Sequence, residues 1–155
     1  MATSRQIATA YHEASRAVTA VWLGIGLRKK GVSIEPDEDS LGRVYTRKSI
    51  RGNPEFEGSD AQRAKAEKKV VVFLAGHEGQ RKFCPRARNG GGKDRVVAVD
   101  LISYFVGSER ELNAYMKLLY IRTEQIIGLE HVQEMIGASG YLVDRGAMSR
   151  PPQWK

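Results

Sequence analysis

The sequence has little cysteine, and this scarcity limits the kinds of site that the chain can build. Cys84 is the only cysteine among 155 residues. An internal disulfide is therefore impossible, and a zinc site built from several cysteines is excluded. A reducing compartment is the simplest expectation, and the cytoplasm fits it.

Long apolar runs are also missing from the sequence. The longest nearly apolar stretch, residues 17–27, has 11 residues, whereas a helix needs about 20 to cross a bilayer. We therefore expect neither a membrane anchor nor a signal peptide. A chain of 155 residues with 41% hydrophobic content fits one domain with a buried core.

Hydrophobic spacing predicts a mainly helical, α+β fold with a short antiparallel hairpin after the first helix. Thr3 and Gln6 have capping-box spacing ahead of apolar positions at helical intervals, which predicts a first helix over residues 4–23. Two short strands at residues 32–36 and 43–46 enclose a turn-rich segment and predict the hairpin.

Four further helices are expected, over residues 60–83, 94–106, 109–127 and 129–136. Asp60 and Ser108 are the candidate caps of the second and fourth helices, and the glycines within residues 76–80 favour a bend or interruption of the second. We expect a single domain over residues 1–136. Residues 137–155 form a tail that we expect to be poorly ordered at its end.

The first helix carries an incomplete metal-ligand pattern. His12 and Glu13 begin an HExxH motif, in which two histidines on one helix face bind a zinc ion and the glutamate activates the zinc-bound water. Arg16 stands where the second histidine belongs. Because its guanidinium stays protonated and has no free lone pair, Arg16 places a fixed cation at a ligand position.

The order of segments around this motif resembles the peptidase domain of FtsH-type ATP-dependent zinc metalloproteases, in a small stand-alone form without the ATPase. Residues 7–24 are similar to the zinc helix of that family, and the predicted hairpin follows it as in the family. Two later phrases complete the resemblance, residues 74–78 (Leu-Ala-Gly-His-Glu) and the glycine-led Asp94. No Gly-x-x-x-x-Gly-Lys-Ser/Thr motif occurs in the chain, so ATP-driven unfolding would need a partner.

This resemblance implies a helical, zincin-like peptidase domain. It assigns His12 as the first zinc ligand, Glu13 as the general base and Asp94 as the third ligand, with the middle ligand lost at Arg16. Two protein ligands are fewer than the three of a catalytic zinc site, and the arginine repels a dication. We therefore expect weak or absent zinc binding and a catalytically impaired or inactive pseudoprotease with a protein- or peptide-binding role.

The same geometry makes a positive prediction about Arg16. If the fold brings Asp94 next to the first helix, Arg16 can reach Asp94 or Glu13 in a charge-assisted fork and replace the charge of the metal.

Alternatives remain open at the level of the sequence, including whether the protein is an enzyme. His77 could substitute for the lost ligand in a site of His12, His77 and Asp94, which would give an active zinc metalloendopeptidase. The competing interpretation of His77 is an ordinary histidine at a helix end, bonded to a backbone carbonyl or to solvent.

A second alternative rests on charge. The net charge is +7, and basic residues concentrate in the segment 80–95, where a polyanion or nucleic acid could bind by releasing counterions. A solvated basic loop is the commoner outcome, since no nucleic-acid-binding signature accompanies it. The sequence does not decide the substrate or the oligomeric state. The basic residues of this segment are Arg81, Lys82, Arg86, Arg88, Lys93 and Arg95.

Overall fold

Five α-helices and a three-stranded sheet make up the described part of the chain. The computed structural model describes residues 2–36, 38, 42–46, 58–87, 92–138 and 147–148. In chain order its elements are α1 (Ser4–Trp22), β1 (Leu27–Ser33), β2 (Arg43–Thr46), α2 (Asp60–Phe83), α3 (Gly92–Ser103), α4 (Glu109–Gly128), α5 (Glu130–Ala138) and β3 (Ala147–Met148). The predicted mainly helical fold with an antiparallel hairpin after the first helix is confirmed.

Helix α1 begins and ends at residues whose chemistry favours a helix boundary. The backbone N–H of Gln6 donates to Thr3 Oγ1 at 3.2 Å, and the N–H of Thr3 donates to Gln6 Oε1 at 2.8 Å, which confirms the capping box. The chain leaves the helix through Gly24, whose φ of 76° strains any residue with a Cβ. The turn at Gly24 leads directly into β1.

Helix α2 is unbroken from Asp60 to Phe83, so the predicted interruption at residues 76–80 is wrong. Gly76 and Gly79 lie one turn apart on the face that meets α1. A Cβ on Gly76 would lie 2.5 Å from His12 Nε2, and a Cβ on Gly79 would lie 1.7 Å from Ser15 Oγ. These glycines permit close packing of two helices. The N-cap is Ser59 rather than Asp60.

The later helices differ from the prediction only at their ends. Helix α3 begins two residues early, at Gly92, and ends at Ser103, because the N–H of Phe105 turns back to the carbonyl of Ile102 at 2.9 Å. Ser108 caps α4 as predicted, accepting a hydrogen bond from the N–H of Glu111 at 3.1 Å. Helix α5 is displaced by one or two residues from its predicted bounds.

The sheet departs further from the prediction. Its order is β2-β1-β3, and both pairings are antiparallel. The predicted first strand at residues 32–36 is wrong, since β1 covers Leu27–Ser33 and exposes three successive charged residues. A register irregularity between Leu27 and Val32 breaks the alternation of buried and exposed positions. Strand β3 lies within the predicted tail, most of which falls outside the described residues.

Two large apolar clusters and a small third one, formed by Ala20, Ile25 and Val72, make up the core, and α2 contributes to all of them. The first joins α1, the sheet and α5 through residues such as Val18, Val32 and Ile136. The second packs α3 and α4 against α2 and includes Ile102 and Leu119. None of the described helices is long and apolar enough to span a bilayer.

Candidate functional site

The incomplete HExxH motif faces inward from α1 onto α2. His12 and Glu13 are both buried, and only 4% of Glu13 is exposed. The imidazole of His12 fits because Gly76 has no side chain at the point of contact. Glu13 packs against Gly42 in the same way, since a Cβ on that glycine would lie 2.8 Å from Glu13 Cγ.

His12 links α1 to α3 and α2 through its two ring nitrogens. Its Nε2 lies 3.0 Å from Asp94 Oδ2, and its Nδ1 lies 3.3 Å from Gln80 Oε1. The N–H at Nε2 donates to the Asp94 carboxylate, so the first and third predicted ligand positions are joined by a direct hydrogen bond. The structure thus brings His12 and Asp94 together across 82 residues of sequence.

Arg16 lies between the two carboxylates of this site. Its Nη1 is 3.4 Å from Glu13 Oε2 and 3.9 Å from Asp94 Oδ1. The guanidinium also stands over the ring of Phe73, with Cζ 5.2 Å from the ring centroid. The prediction that Arg16 reaches Asp94 or Glu13 is confirmed. The predicted fork is wrong, because one nitrogen makes both contacts while the buried Nε has no hydrogen-bond partner among the described residues.

The two carboxylates have pKa values shifted in opposite directions. Burial raises the pKa of Glu13 above its ordinary value, although the charges of Arg16 and His12 oppose this shift. Burial also acts to raise the pKa of Asp94, but the hydrogen bond from His12 and the charges of Arg16 and His12 together outweigh it and lower that pKa. Asp94 is therefore ionised at neutral pH, and Glu13 keeps its proton to a higher pH than an ordinary glutamate does.

The residues present do not fit a catalytic zinc ion. Such a site takes three protein ligands and leaves a fourth position open for water. Here His12 and Asp94 supply two donors, and Arg16 places a cation at the predicted position of the second histidine. Within the described residues, no group of three or more His, Cys, Asp or Glu side chains is arranged to hold a metal.

His77 lies inside α2, six residues before its last residue, Phe83, so the placement of His77 at a helix end is wrong. It lines an open cavity of about 200 Å³ together with Phe73, Asp94, Arg95 and Tyr120. The cavity is thus bounded on one side by the same carboxylate that His12 and Arg16 contact. The substitute-ligand role of His77 stays a prediction.

The predicted basic loop is only partly a loop. Arg81 and Lys82 belong to α2, Lys93 and Arg95 belong to α3, and Arg88 lies outside the described residues. Arg81 Nη2 lies 2.7 Å from Glu78 Oε2 and 3.5 Å from Glu124 Oε1, and Lys93 is also engaged. These contacts compensate part of the positive charge that the sequence concentrates in this segment.

Three contributors to the site were not predicted from the sequence: Gln80, Phe73 and the glycine pair of α2. The glycine pair could have been predicted from residue spacing. Gly76 and Gly79 are three residues apart, and so are His12 and Ser15, whose side chains pack against them. Gln80 and Phe73 had no comparable signal. Their roles depend on the crossing of α1 and α2, which spacing within one helix does not specify.

Comparison with known proteins adds no family assignment. No family model matches the chain, and no curated protein sequence matches it.

Proposed function

We propose that this protein is a zincin-like, FtsH-type peptidase domain that has lost its metal and works as a protein- or peptide-binding pseudoprotease. The position of Arg16 carries the proposal. Its guanidinium lies within 4 Å of both Glu13 and Asp94, in the place of the missing histidine. The site therefore contains a built-in cation next to the base and one ligand of a zinc peptidase.

The chemistry of the residues supports a loss of hydrolysis. A catalytic zinc ion supplies a hydroxide nucleophile and polarises the peptide carbonyl. Arg16 can neutralise the carboxylates, but it cannot hold and activate a water molecule as a Lewis acid does. Glu13 Oε2 lies 3.4 Å from Arg16 Nη1, so the general base of the motif is paired with a cation.

The proposed binding role uses the cleft that remains beside the site. A cavity with aromatic walls adjoins Asp94, and pockets of mixed apolar and polar lining are typical ligand sites. The proposed partner is a protein or peptide. The single cysteine favours a reducing compartment such as the cytoplasm.

The test is to restore the ligand set with Arg16→His and to measure zinc. After dialysis against zinc chloride, elemental analysis should find far less than one zinc per chain in the wild type and about one in Arg16→His. Arg16→Gln is the matched control, since it removes the cation without adding a ligand. A wild type that holds about one tightly bound zinc would contradict the proposal, as would an Arg16→His variant that stays free of zinc.

An active zinc metalloendopeptidase is the second candidate, and one observation favours it. His12 Nε2 and Asp94 Oδ2, both good zinc donors, lie only 3.0 Å apart, with His77 lining the neighbouring cavity. This candidate predicts zinc-dependent cleavage of an unfolded protein by the wild type and its loss in His77→Ala. Zinc uptake that does not depend on His77 would exclude the remodelled site.

A further inference from the structure

The cavity beside the candidate site contains positive charge and hydrogen-bond donors without a hydrogen-bond or ion-pair partner among the described residues. Arg95 lines the cavity, and no carboxylate of the described residues lies within ion-pair distance of it. The ring of His77, half-buried in the same wall, likewise has no hydrogen-bond partner among those residues. Polar groups that converge on a cavity without internal partners are available to a ligand.

Asp94, the carboxylate among the described residues that line the cavity, does not compete for these donors. Asp94 accepts the hydrogen bond of His12 and lies 3.9 Å from Arg16, so its charge is already compensated. Arg95 is exposed, and its Cζ lies 5.9 Å from the centroid of the Tyr120 ring. This contact with the ring face leaves the N–H groups of the guanidinium available, and their planar arrangement matches a carboxylate.

The remaining lining sets the size and polarity of what can bind. Phe73 and Tyr120 provide aromatic walls, and the volume is about 200 Å³. Cavities for drug-sized ligands are usually larger, at about 300–1,000 Å³. The space therefore suits one apolar or aromatic group next to a carboxylate.

We propose that this cavity binds a carboxylate attached to an apolar or aromatic group, with Arg95 and His77 as its donors, as in the C-terminal residue of a peptide. This inference rests on the proposed peptide-binding function and names its ligand class. It makes Arg95 and His77 binding residues, whereas His12 and Arg16 act on the cavity only through their contacts with Asp94.

The experiment compares acetyl-Ala-Ala-Phe carrying a free C-terminal carboxylate with the same peptide amidated, and both with N-acetylphenylalanine. Affinity is measured by calorimetry, and contact by the NMR shifts of the His77 ring and the Arg95 side chain. A charge-assisted hydrogen bond of ordinary strength corresponds to about 10- to 100-fold in affinity. We expect amidation and Arg95→Gln each to weaken binding by about 10-fold or more, and His77→Ala to weaken it less.

Arg110→Gln is the matched control, because Arg110 is exposed in the first turn of α4, ten residues from Tyr120. It should leave the affinity unchanged. Equal binding of the acid and the amide, or no shift at His77 with any probe, would overturn the inference. If N-acetylphenylalanine binds as tightly as the peptide, the cavity is a carboxylate site whose natural ligand is a small carboxylic acid.

The outcomes separate this inference from the function on which it rests. Acid-selective binding together with an Arg16→His variant that takes up no zinc would retain the carboxylate site and reject the peptidase-like assignment. Zinc uptake by Arg16→His together with equal affinity for acid and amide would support the peptidase-like assignment and reject the carboxylate site.

Discussion

At the scale of single residues, the site is organised by one cation that lies between two carboxylates. Arg16 contacts Glu13 and Asp94 from one nitrogen, while His12 joins Asp94 from the other side. Such buried pairs contribute little net stability once desolvation is counted, but removing one partner leaves an uncompensated charge. The cluster is therefore better understood as a device that fixes local geometry.

Glu13 gives the first prediction at this scale. Its folded-state pKa is raised above the ordinary 4.5, so the folded state binds the proton more tightly than the unfolded state does. The stability from this preference is fully present below pH 4.5 and is lost as the pH rises through the folded-state pKa. Glu13→Gln abolishes this titration, so the wild type should lose stability relative to the variant over that window.

Urea unfolding of the wild type and Glu13→Gln across the pH range checks this expectation. Asp94 titrates in both proteins, and its lowered pKa affects stability only as the pH falls below its ordinary 3.8, outside the window used. A difference in unfolding free energy that stays constant with pH would show that Glu13 is not perturbed.

At the scale of elements, the crossing of α1 and α2 depends on the absence of side chains at two positions. A Cβ at Gly79 would lie 1.7 Å from Ser15 Oγ and 2.4 Å from Ser15 Cβ. Gly79→Ala should therefore destabilise the protein by about 1–3 kcal/mol, the range for overpacking a core. Because Ser15 supplies both clashing atoms, Ser15→Gly should reduce the penalty of Gly79→Ala in the double variant.

Gly137→Ala is the matched control for this helix packing. Gly137 lies in α5, and a Cβ there would meet nothing within 4 Å. Alanine should be neutral or stabilise the helix by up to about 1 kcal/mol. Thermal unfolding of the four variants gives the coupling energy; purely additive effects of Gly79→Ala and Ser15→Gly would rule out the clash with Ser15 as the cause.

The sequence predicted the helices of this fold more closely than its strands. Helices were predicted closely where local chemistry specifies them, as at the Thr3 capping box and the Ser108 cap. Strand β1 was misplaced because its charged residues show no alternation, and the partner that pairs with Val32, Met148, is 116 residues away. Long-range pairing of this kind leaves no trace in a local pattern.

In the candidate site, too, local spacing predicts some of the residues and tertiary packing adds the others. His12, Glu13 and Arg16 share one helix, so their proximity followed from spacing alone. The contact of Asp94 with that helix was an expectation of the resemblance, and the structure brings the two together. Gln80 and Phe73 enter the site only through tertiary packing, which is why helical periodicity did not indicate them.

At the scale of the whole molecule, α2 connects the two large apolar clusters. Ala75 belongs to the first, and Val70 and Leu74 belong to the second. A helix shared in this way should couple the two halves into one cooperative unit. The described residues thus form a structure in which damage to either cluster lowers the stability of both.

Leu119→Ala and Ile136→Ala test this coupling, because each removes a fully buried side chain from a different cluster. Each should lower the free energy of unfolding by about 2–5 kcal/mol. Circular dichroism and Trp fluorescence should report one coincident transition in both variants. Two separated transitions in Leu119→Ala would show that the clusters unfold independently.

The guanidinium between Glu13 and Asp94 has a consequence for how this site responds to its surroundings. A side-chain cation is present at one equivalent in every folded copy, and its charge does not vary with the supply of ions. Chelating agents that strip a metalloprotein have nothing to extract from Arg16, and no competing ion can exchange with it. The positive charge of the site is fixed when the chain is translated.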